Sequence, residues 1–407
     1  MAPVTNPVLM WSETMNSTLA TEKTERFVSA LCAVTGGPVA GLHEPVFAGN
    51  EKTYLADCID TGFVSSVGEY VTRFEQELAG FTGARHAVAV TNGTTALHLA
   101  LIAVGVKPDH EVLVPAMSFI ATANAVAHAG AVPHFVDVSE ETWGLDPQEL
   151  ATYLRTVAVT RDGSLVNRET GRTISAVVPM HTLGHPVDMQ GIIAVAEEFG
   201  LVVLEDAAES LGSRIGDVHT GLMGNLGVFS FNGNKTITTG GGGAIVTDNE
   251  ELAHHIKHLS TTARVPHRFE FDHDEIGYNY RMPNINAALG VAQMEQLPAI
   301  LANQRGLYER YEREFGDDNL FSIKGERAGT TSNFWLQALL LNSKSGLDRN
   351  HLIEAALDAH LAVRPLWKPL NMVAAHSSSP SAPTPVAHEL YDRVVCLPSS
   401  SSLVDQS

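Results

Sequence analysis

Four stretches of this sequence combine residue types that could do chemistry. In SFNGNKTITTGGGG (230–243), Lys235 follows a short apolar run and precedes four glycines. An amine in a partly buried pocket has a lowered pKa and can condense with an aldehyde to an imine. Ser230 could donate to a phosphate, and the glycines allow close backbone approach. Taken alone, the segment also reads as a hairpin carrying a surface lysine. In LVVLED (201–206) the run is apolar on both faces, so Asp206 emerges from a buried position. A carboxylate there needs a cation or donors. A protonated ring nitrogen would serve, and so would the next turn's N–H groups. In Asn92-Gly93-Thr94-Thr95 a strand ends, a glycine turns and a helix starts with two hydroxyls. Free N–H groups and the helix dipole make such a corner an anion site, or a capped helix with nothing bound. Finally, GYNYRMPN (277–284) is a polar, aromatic knot before a long helical stretch. Asn279 and Arg281 could reach a phosphate or carboxylate from it, or it could be a structured interdomain loop.

Other constellations carry less. No GxxxxGK[ST] loop is present and no GxGxxG opens a helix, so an ATP or dinucleotide site is poorly supported. His254 and His258 lie at i, i+4 and could clamp a metal, yet no carboxylate or third ligand at a fitting spacing accompanies them. That favours a solvated helix face, and no metal is expected. His181 and His185 follow a strand end, where a place in a ligand pocket is open to them.

The elements that must position these residues alternate. Strands are expected over 86–93, 111–117, 132–138, 174–184, 201–210, 227–235 and 242–249. Helices are expected at 70–83, 94–105, 119–130, 189–200 and 251–260. Such alternation implies a mostly parallel sheet covered on both faces, with ligands beyond the carboxyl ends of its strands. After residue 285 come a long helical stretch, a strand over 333–342, a helix over 351–360 and a short strand over 361–367. The expected organisation is an N-terminal extension with a helix (1–40), a large domain (41–285) and a small α+β domain (286–407). HSSSPSAPTP (376–385) has the composition of a flexible surface loop.

The chain has 407 residues, 44% apolar and 18% charged, ordinary for a globular protein. Its formal net charge of −20 argues against a nucleic-acid binder, which needs a basic face. No apolar run approaches the roughly 20 residues that span a bilayer. The first residues, MAPVTNPVLMWSETMN, lack a signal-peptide layout. Three unpaired cysteines, Cys32, Cys58 and Cys396, suit a reducing compartment. A cytoplasmic protein is expected.

The order of these signals says more than any one of them. A glycine–threonine turn, then Ser118-Phe119, EDAAES, FSFNGNKTITTGGGGAIVTD and GYNYRMPNINAALG together resemble the DegT-type (StrS-like) sugar aminotransferases, over about Leu42 to Leu403. The resemblance implies the aspartate-aminotransferase fold (fold type I) and pyridoxal 5'-phosphate (PLP) as cofactor. It implies that Lys235 forms the Schiff base and shuttles the proton, while Asp206 pairs with the pyridine nitrogen. Phe119 would stack on the ring, with Gly93, Thr94 and Ser230 on the phosphate. Asn279 would reach the phosphate from a second subunit, so a homodimer with shared active sites is expected. Glu209 stands where many relatives have a glutamine that contacts the cofactor's phenolic oxygen. His181 and Arg281 are the candidate substrate contacts. LHEPVFAGNE, DTGFVSSVGEYV and RPLWKPL resemble the branch acting on UDP-linked 4-keto-6-deoxy-N-acetylhexosamines, with glutamate as usual donor. Two rivals share the fold: a PLP-dependent sugar dehydratase, in which histidine replaces the lysine, and a non-catalytic PLP-binding regulator.

Overall fold

Strands that are apolar on both faces must lie between two covering layers. Seven strands do so here, in a computed structural model that describes residues 7–316 and 318–404, with side chains from residue 21 onward. They are β1 (His86–Val90), β2 (Glu111–Pro115), β3 (Val132–Val136), β4 (Ile174–Val177), β5 (Val202–Asp206), β6 (Leu226–Ser230) and β7 (Gly243–Thr247). Their order in the sheet is β1-β7-β6-β5-β4-β2-β3. β7 runs antiparallel to both neighbours, and every other pairing is parallel. This is the expected large mixed, mostly parallel sheet.

Helices cover both faces. In chain order they are α1 (Pro7–Thr35), α2 (Glu51–Thr61), α3 (Glu69–Thr82), α4 (Gly93–Ala103), α5 (Ile120–His128), α6 (Pro147–Val157), α7 (Met189–Phe199), α8 (Glu250–Ser260), α9 (Asn284–Phe315), α10 (Arg349–Asp358) and α11 (Pro385–Arg393). The smaller C-terminal unit is built on four antiparallel strands: β8 (Phe321–Ile323), β9 (Ala338–Leu341), β10 (Arg364–Pro365) and β11 (Val394–Cys396), ordered β8-β9-β11-β10.

The 32-residue α9 links two cores. Its first half buries Ala287, Val291 and Leu297 against Phe74 and Leu78 of α3 and Phe231 after β6. Its second half buries Leu307, Tyr311 and Phe315 in a separate cluster with Phe321 and Leu339. Phe27, Leu31 and Val34 of α1 join that second cluster, so the N-terminal helix packs on the small unit. Residues 1–6 of the expected extension lie outside the described residues. Pro298 sits inside α9. It lacks the N–H that would bond the carbonyl four residues earlier.

One expectation fails. The segment 376–385 is not a free loop: Phe135 of edge strand β3 donates to the Pro380 carbonyl at 2.9 Å, and Ala382 donates back to Phe135 at 2.8 Å. Edge backbone groups seek partners regardless of side-chain polarity, and this polar strap supplies them. Also unforeseen are α6 and the hairpin of Ala158–Arg161 with Ser164–Asn167. The helix start was legible, because Asp146 caps the N–H groups of Gln148 and Glu149 and Pro147 occupies the first turn.

Candidate active site

The carboxyl ends of β1, β2, β5 and β6 open on one cavity of about 220 Å³. Gly93, Thr94, Phe119, Asp206, Glu209, Ser230 and Lys235 all line it. These seven include both residues from which the chemistry was read. Three lining residues from beyond α9 close the cavity: Trp335, Arg364 and Trp367.

At the end of β1, Asn92 caps α4 by accepting from the Thr95 N–H at 2.8 Å, and Thr95 reciprocates. The cap leaves the N–H groups of Gly93 and Thr94 uncommitted to helix bonding at the cavity wall. Only glycine fits at residue 93, since a Cβ there would stand 2.9 Å from the Ser230 Cβ. Gly243 admits the same corner, as its Cβ would meet the Asn92 carbonyl carbon at 2.4 Å.

Asp206 closes β5. Its carboxylate accepts from the Thr122 hydroxyl at 2.7 Å and the Ala208 N–H at 3.2 Å. Burial pushes its pKa up, against these two donors and the Lys235 charge. The Asp206 charge is therefore costly until another cation faces it. Lys235 points into the same cavity, its Nζ 3.1 Å from Glu209 Oε1 and 4.0 Å from the Trp335 ring centre. Glu209 also accepts from the Leu183 N–H at 3.0 Å. Burial raises its pKa too, opposed mainly by Lys235. Phe119 is 46% exposed at the mouth, with Trp367 6.3 Å away between ring centres.

These residues fit the expected cofactor. An amine for the aldehyde, a buried carboxylate for a pyridine nitrogen and an N–H corner with a hydroxyl for a phosphate line one cavity. The missing Cβ at Gly93 is what lets that corner and Ser230 approach so closely.

The other predicted residues lie elsewhere. His181 is fully buried off the cavity wall. Its Nε2 meets Glu205 at 2.9 Å, and its Nδ1 accepts from the Val187 N–H at 3.2 Å. Its hydrogen-bonding capacity is spent on the fold, which corrects the expected substrate contact. His185 is also buried, its Nε2 without a hydrogen-bond partner, and burial with the Lys324 charge pushes it down to about 3. Asn279 is exposed, and neither it nor Arg281 lines this chain's cavity. Arg281 pairs with the end of β1 through its backbone, and its Nε is buried without a partner. The histidine pair on α8 is corrected as well. His258 of the expected pair meets Asp274 at 2.6 Å, and His255, outside that pair, meets Glu275 at 3.0 Å. His258, Asp274 and Glu275 bring their ligand atoms within 4.8 Å of one another. Separations of sixteen and twenty residues in sequence hid these carboxylates; both are exposed, and their hydrogen bonds account for the grouping.

Sequence reading missed Trp335, Arg364 and Trp367. RPLWKPL had been noticed only as a motif, because nothing local says that a small-domain strand faces a large-domain cavity. Trp335 is set by its indole N–H, which donates to the Asn234 carbonyl at 2.7 Å, next to Lys235.

Among known proteins, the chain is 34% identical over 367 residues to GDP-perosamine synthase of Escherichia coli O157:H7, covering 90% of this chain and 94% of that protein. It is 33% identical over 316 residues to UDP-4-amino-4,6-dideoxy-N-acetyl-beta-L-altrosamine transaminase of Campylobacter jejuni, covering 77% and 79%. A solved DegT DnrJ EryC1 StrS aminotransferase from Brucella abortus superposes with a TM-score of 0.78 at 27% identity, covering 88% of this chain and 93% of that one. The family model of the DegT/DnrJ/EryC1/StrS aminotransferases matches residues 46–407. The resemblance seen in the motifs is thus a relationship over most of the chain, and with it comes the cofactor, pyridoxal 5'-phosphate. By fold, cavity and sequence alike, this chain belongs to the DegT/DnrJ/EryC1/StrS aminotransferase family.

Proposed function

We propose that the protein moves an amino group from glutamate to the C4 keto carbon of a nucleotide-linked 4-keto-6-deoxy sugar. The observation that carries this is one cavity holding Lys235 and Asp206 beside the uncommitted N–H groups of α4. Bound PLP supplies an aldehyde that accepts amines and a ring that takes up the electron pair freed at the substrate carbon. The chain's own residues do the rest. Lys235 Nζ, once released, moves a proton to and from the substrate carbon. Glu209 holds that amine in place from 3.1 Å. Asp206 presents a carboxylate to the ring nitrogen, oriented by Thr122 and Ala208. Gly93, Thr94 and Ser230 hold the phosphate, Phe119 covers the ring, and Trp335 and Trp367 screen the site from water.

A homodimer is part of this reading. Asn279 is exposed and stands away from its own chain's cavity, which supports its reaching a partner's phosphate, with Arg281 two residues further on as a substrate contact. LHEPVFAGNE, DTGFVSSVGEYV and RPLWKPL support a UDP sugar, as does the name of the Campylobacter relative. The Escherichia relative is named for a GDP sugar, so the nucleotide is the first point to assay.

Absorbance tests the assignment. Purified protein loaded with PLP shows the band of a lysine-bound cofactor, glutamate bleaches it, and Lys235→Ala abolishes it. Wild-type protein saturated with PLP but lacking the band refutes the assignment. A dehydratase would carry histidine in place of Lys235, and turnover of a keto-sugar with glutamate separates a catalyst from a regulator.

A further inference from the structure

Two groups flank the Lys235 amine. One is a carboxylate oxygen of Glu209 at 3.1 Å, and the other is the indole face of Trp335, its ring centre 4.0 Å away. We propose that the Trp335 face is the seat that receives the Lys235 amine when a substrate amine displaces it, which makes Trp335 a positioning residue for the proton transfers that follow. The inference rests on the transaminase reading above. An aromatic face attracts an ammonium, tryptophan most strongly, and the attraction grows where water is excluded. Trp335 is 2% exposed.

The chain accepts strain to put the indole there. Phe334 lies in the left-handed region at φ 49°, which a bulky residue adopts only where its surroundings dictate it. Its ring is buried and stacks on Tyr308 with 4.2 Å between centres. On one side of it, Asn333 donates from its side chain to the Glu209 carbonyl at 2.9 Å and from its backbone to the Ser213 hydroxyl at 2.9 Å. On the other side, the Trp335 backbone N–H returns to Asn333 Oδ1 at 3.0 Å, and the indole N–H donates to the Asn234 carbonyl at 2.7 Å. Glu209 therefore holds Lys235 with its side chain and anchors the tryptophan segment with its carbonyl, so carboxylate and indole keep one spacing. A tryptophan that only filled the core would need neither the cation on its face nor this registration with Glu209.

Lys235 needs such a seat at one moment. As a donor amine bonds to the cofactor's aldehyde carbon, the bond from that carbon to Nζ breaks, and the proton brought by the donor's ammonium leaves on Nζ. The freed side chain is long and flexible, yet it must stay beside the substrate carbon to move the next proton. Glu209 meets its charge, and the indole face fixes which side of the cavity it occupies.

The test uses the PLP-loaded protein and two ligands of the donor pocket. 2-Methylglutamate displaces Lys235 but has no hydrogen on its α-carbon, so the reaction halts after release and shifts the lysine-bound band. Glutarate has both carboxylates and no amine, so it competes for the pocket and leaves Lys235 in place. Trp335→Leu, which keeps apolar bulk, should raise the half-saturating 2-methylglutamate about tenfold, the scale of one desolvated contact between a cation and an aromatic face. The glutarate constant, taken from its competition with 2-methylglutamate, should change by no more than about twofold. Trp335→Phe keeps a weaker face and should raise the 2-methylglutamate value about threefold, and it reports even if the leucine variant folds poorly. Equal weakening of both ligands overturns the inference and leaves Trp335 as pocket packing. So does an unchanged 2-methylglutamate titration in a variant with an intact band. Wild-type protein without the band, or with a band that neither glutamate nor 2-methylglutamate disturbs, sinks the transaminase reading first, and this inference with it.

Discussion

Glu205 and Asp206 are neighbours on one strand, both carboxylates, both buried, and their surroundings give them opposite tasks. Successive side chains on a strand point to opposite faces, so the two enter different environments. Glu205 meets a complete set of donors: the N–H groups of Gly221, Met223 and Gly224 at 2.7, 2.6 and 2.6 Å, and His181 at 2.9 Å. Burial alone would raise its pKa, yet His181 and the backbone donors hold it below the ordinary carboxylate range. Asp206 has two donors and faces a cavity, and burial prevails. A buried carboxylate whose partners are all supplied by the chain is a structural device. One whose complement is unfinished awaits a ligand.

The contrast can be broken by substitution. Asp206→Asn should cut transamination by roughly 100-fold, the scale of one preorganised electrostatic contact. The melting temperature of the cofactor-free protein should stay near wild type, since an uncharged amide avoids the cost of a buried charge. Glu205→Gln should do the reverse: about 3 kcal/mol of stability is lost because its amide donors face backbone donors, while the lysine-bound band survives in the folded fraction. If Asp206→Asn lowers the melting temperature as much as Glu205→Gln, the distinction collapses.

Acid sharpens the comparison. The folded pKa of Glu205 lies below its unfolded value near 4.3, so its contribution is fully present above that value and lost as pH falls through the folded pKa. Asp206, shifted upward, contributes no such loss. Melting temperatures taken from pH 6 to pH 3 should therefore fall less steeply in Glu205→Gln than in wild type. The smallest effect is expected at the phosphate corner. Ser230→Ala removes one hydroxyl donor and should weaken PLP binding about tenfold, the value of one hydrogen bond to a charged group. Equilibrium titration of the cofactor band measures it, and unchanged affinity would remove Ser230 from the phosphate site.

Sequence revealed much of the large domain and little of how the small one meets it. Lys235, Asp206, Ser230 and the Gly93–Thr94 turn were readable because each sits where a periodic apolar run stops at polar residues. That signal is local. Arg364, Trp335 and Trp367 reach the cavity only because the small unit packs against the large sheet, which no window of residues records. His181 shows the opposite failure. Its place after a strand end looked like a ligand position, but Glu205 lies across a neighbouring strand and claims it. The polar segment 376–385 likewise looked unstructured until the free edge of β3 gave its backbone a partner.

The helix α9 has a consequence for how the two sides of the site are held. Its first half is set into the packing of the large sheet and its second half into that of the small one, yet Lys235 and Arg364 approach the cavity from either side of this division. A rigid rod would weld the two halves of the site at one spacing. Pro298 lies inside the rod near its midpoint. Here the missing N–H makes bending cheapest. The spacing of the two sides of the site thus leans on one helix whose middle turn is held by one hydrogen bond fewer than its ends.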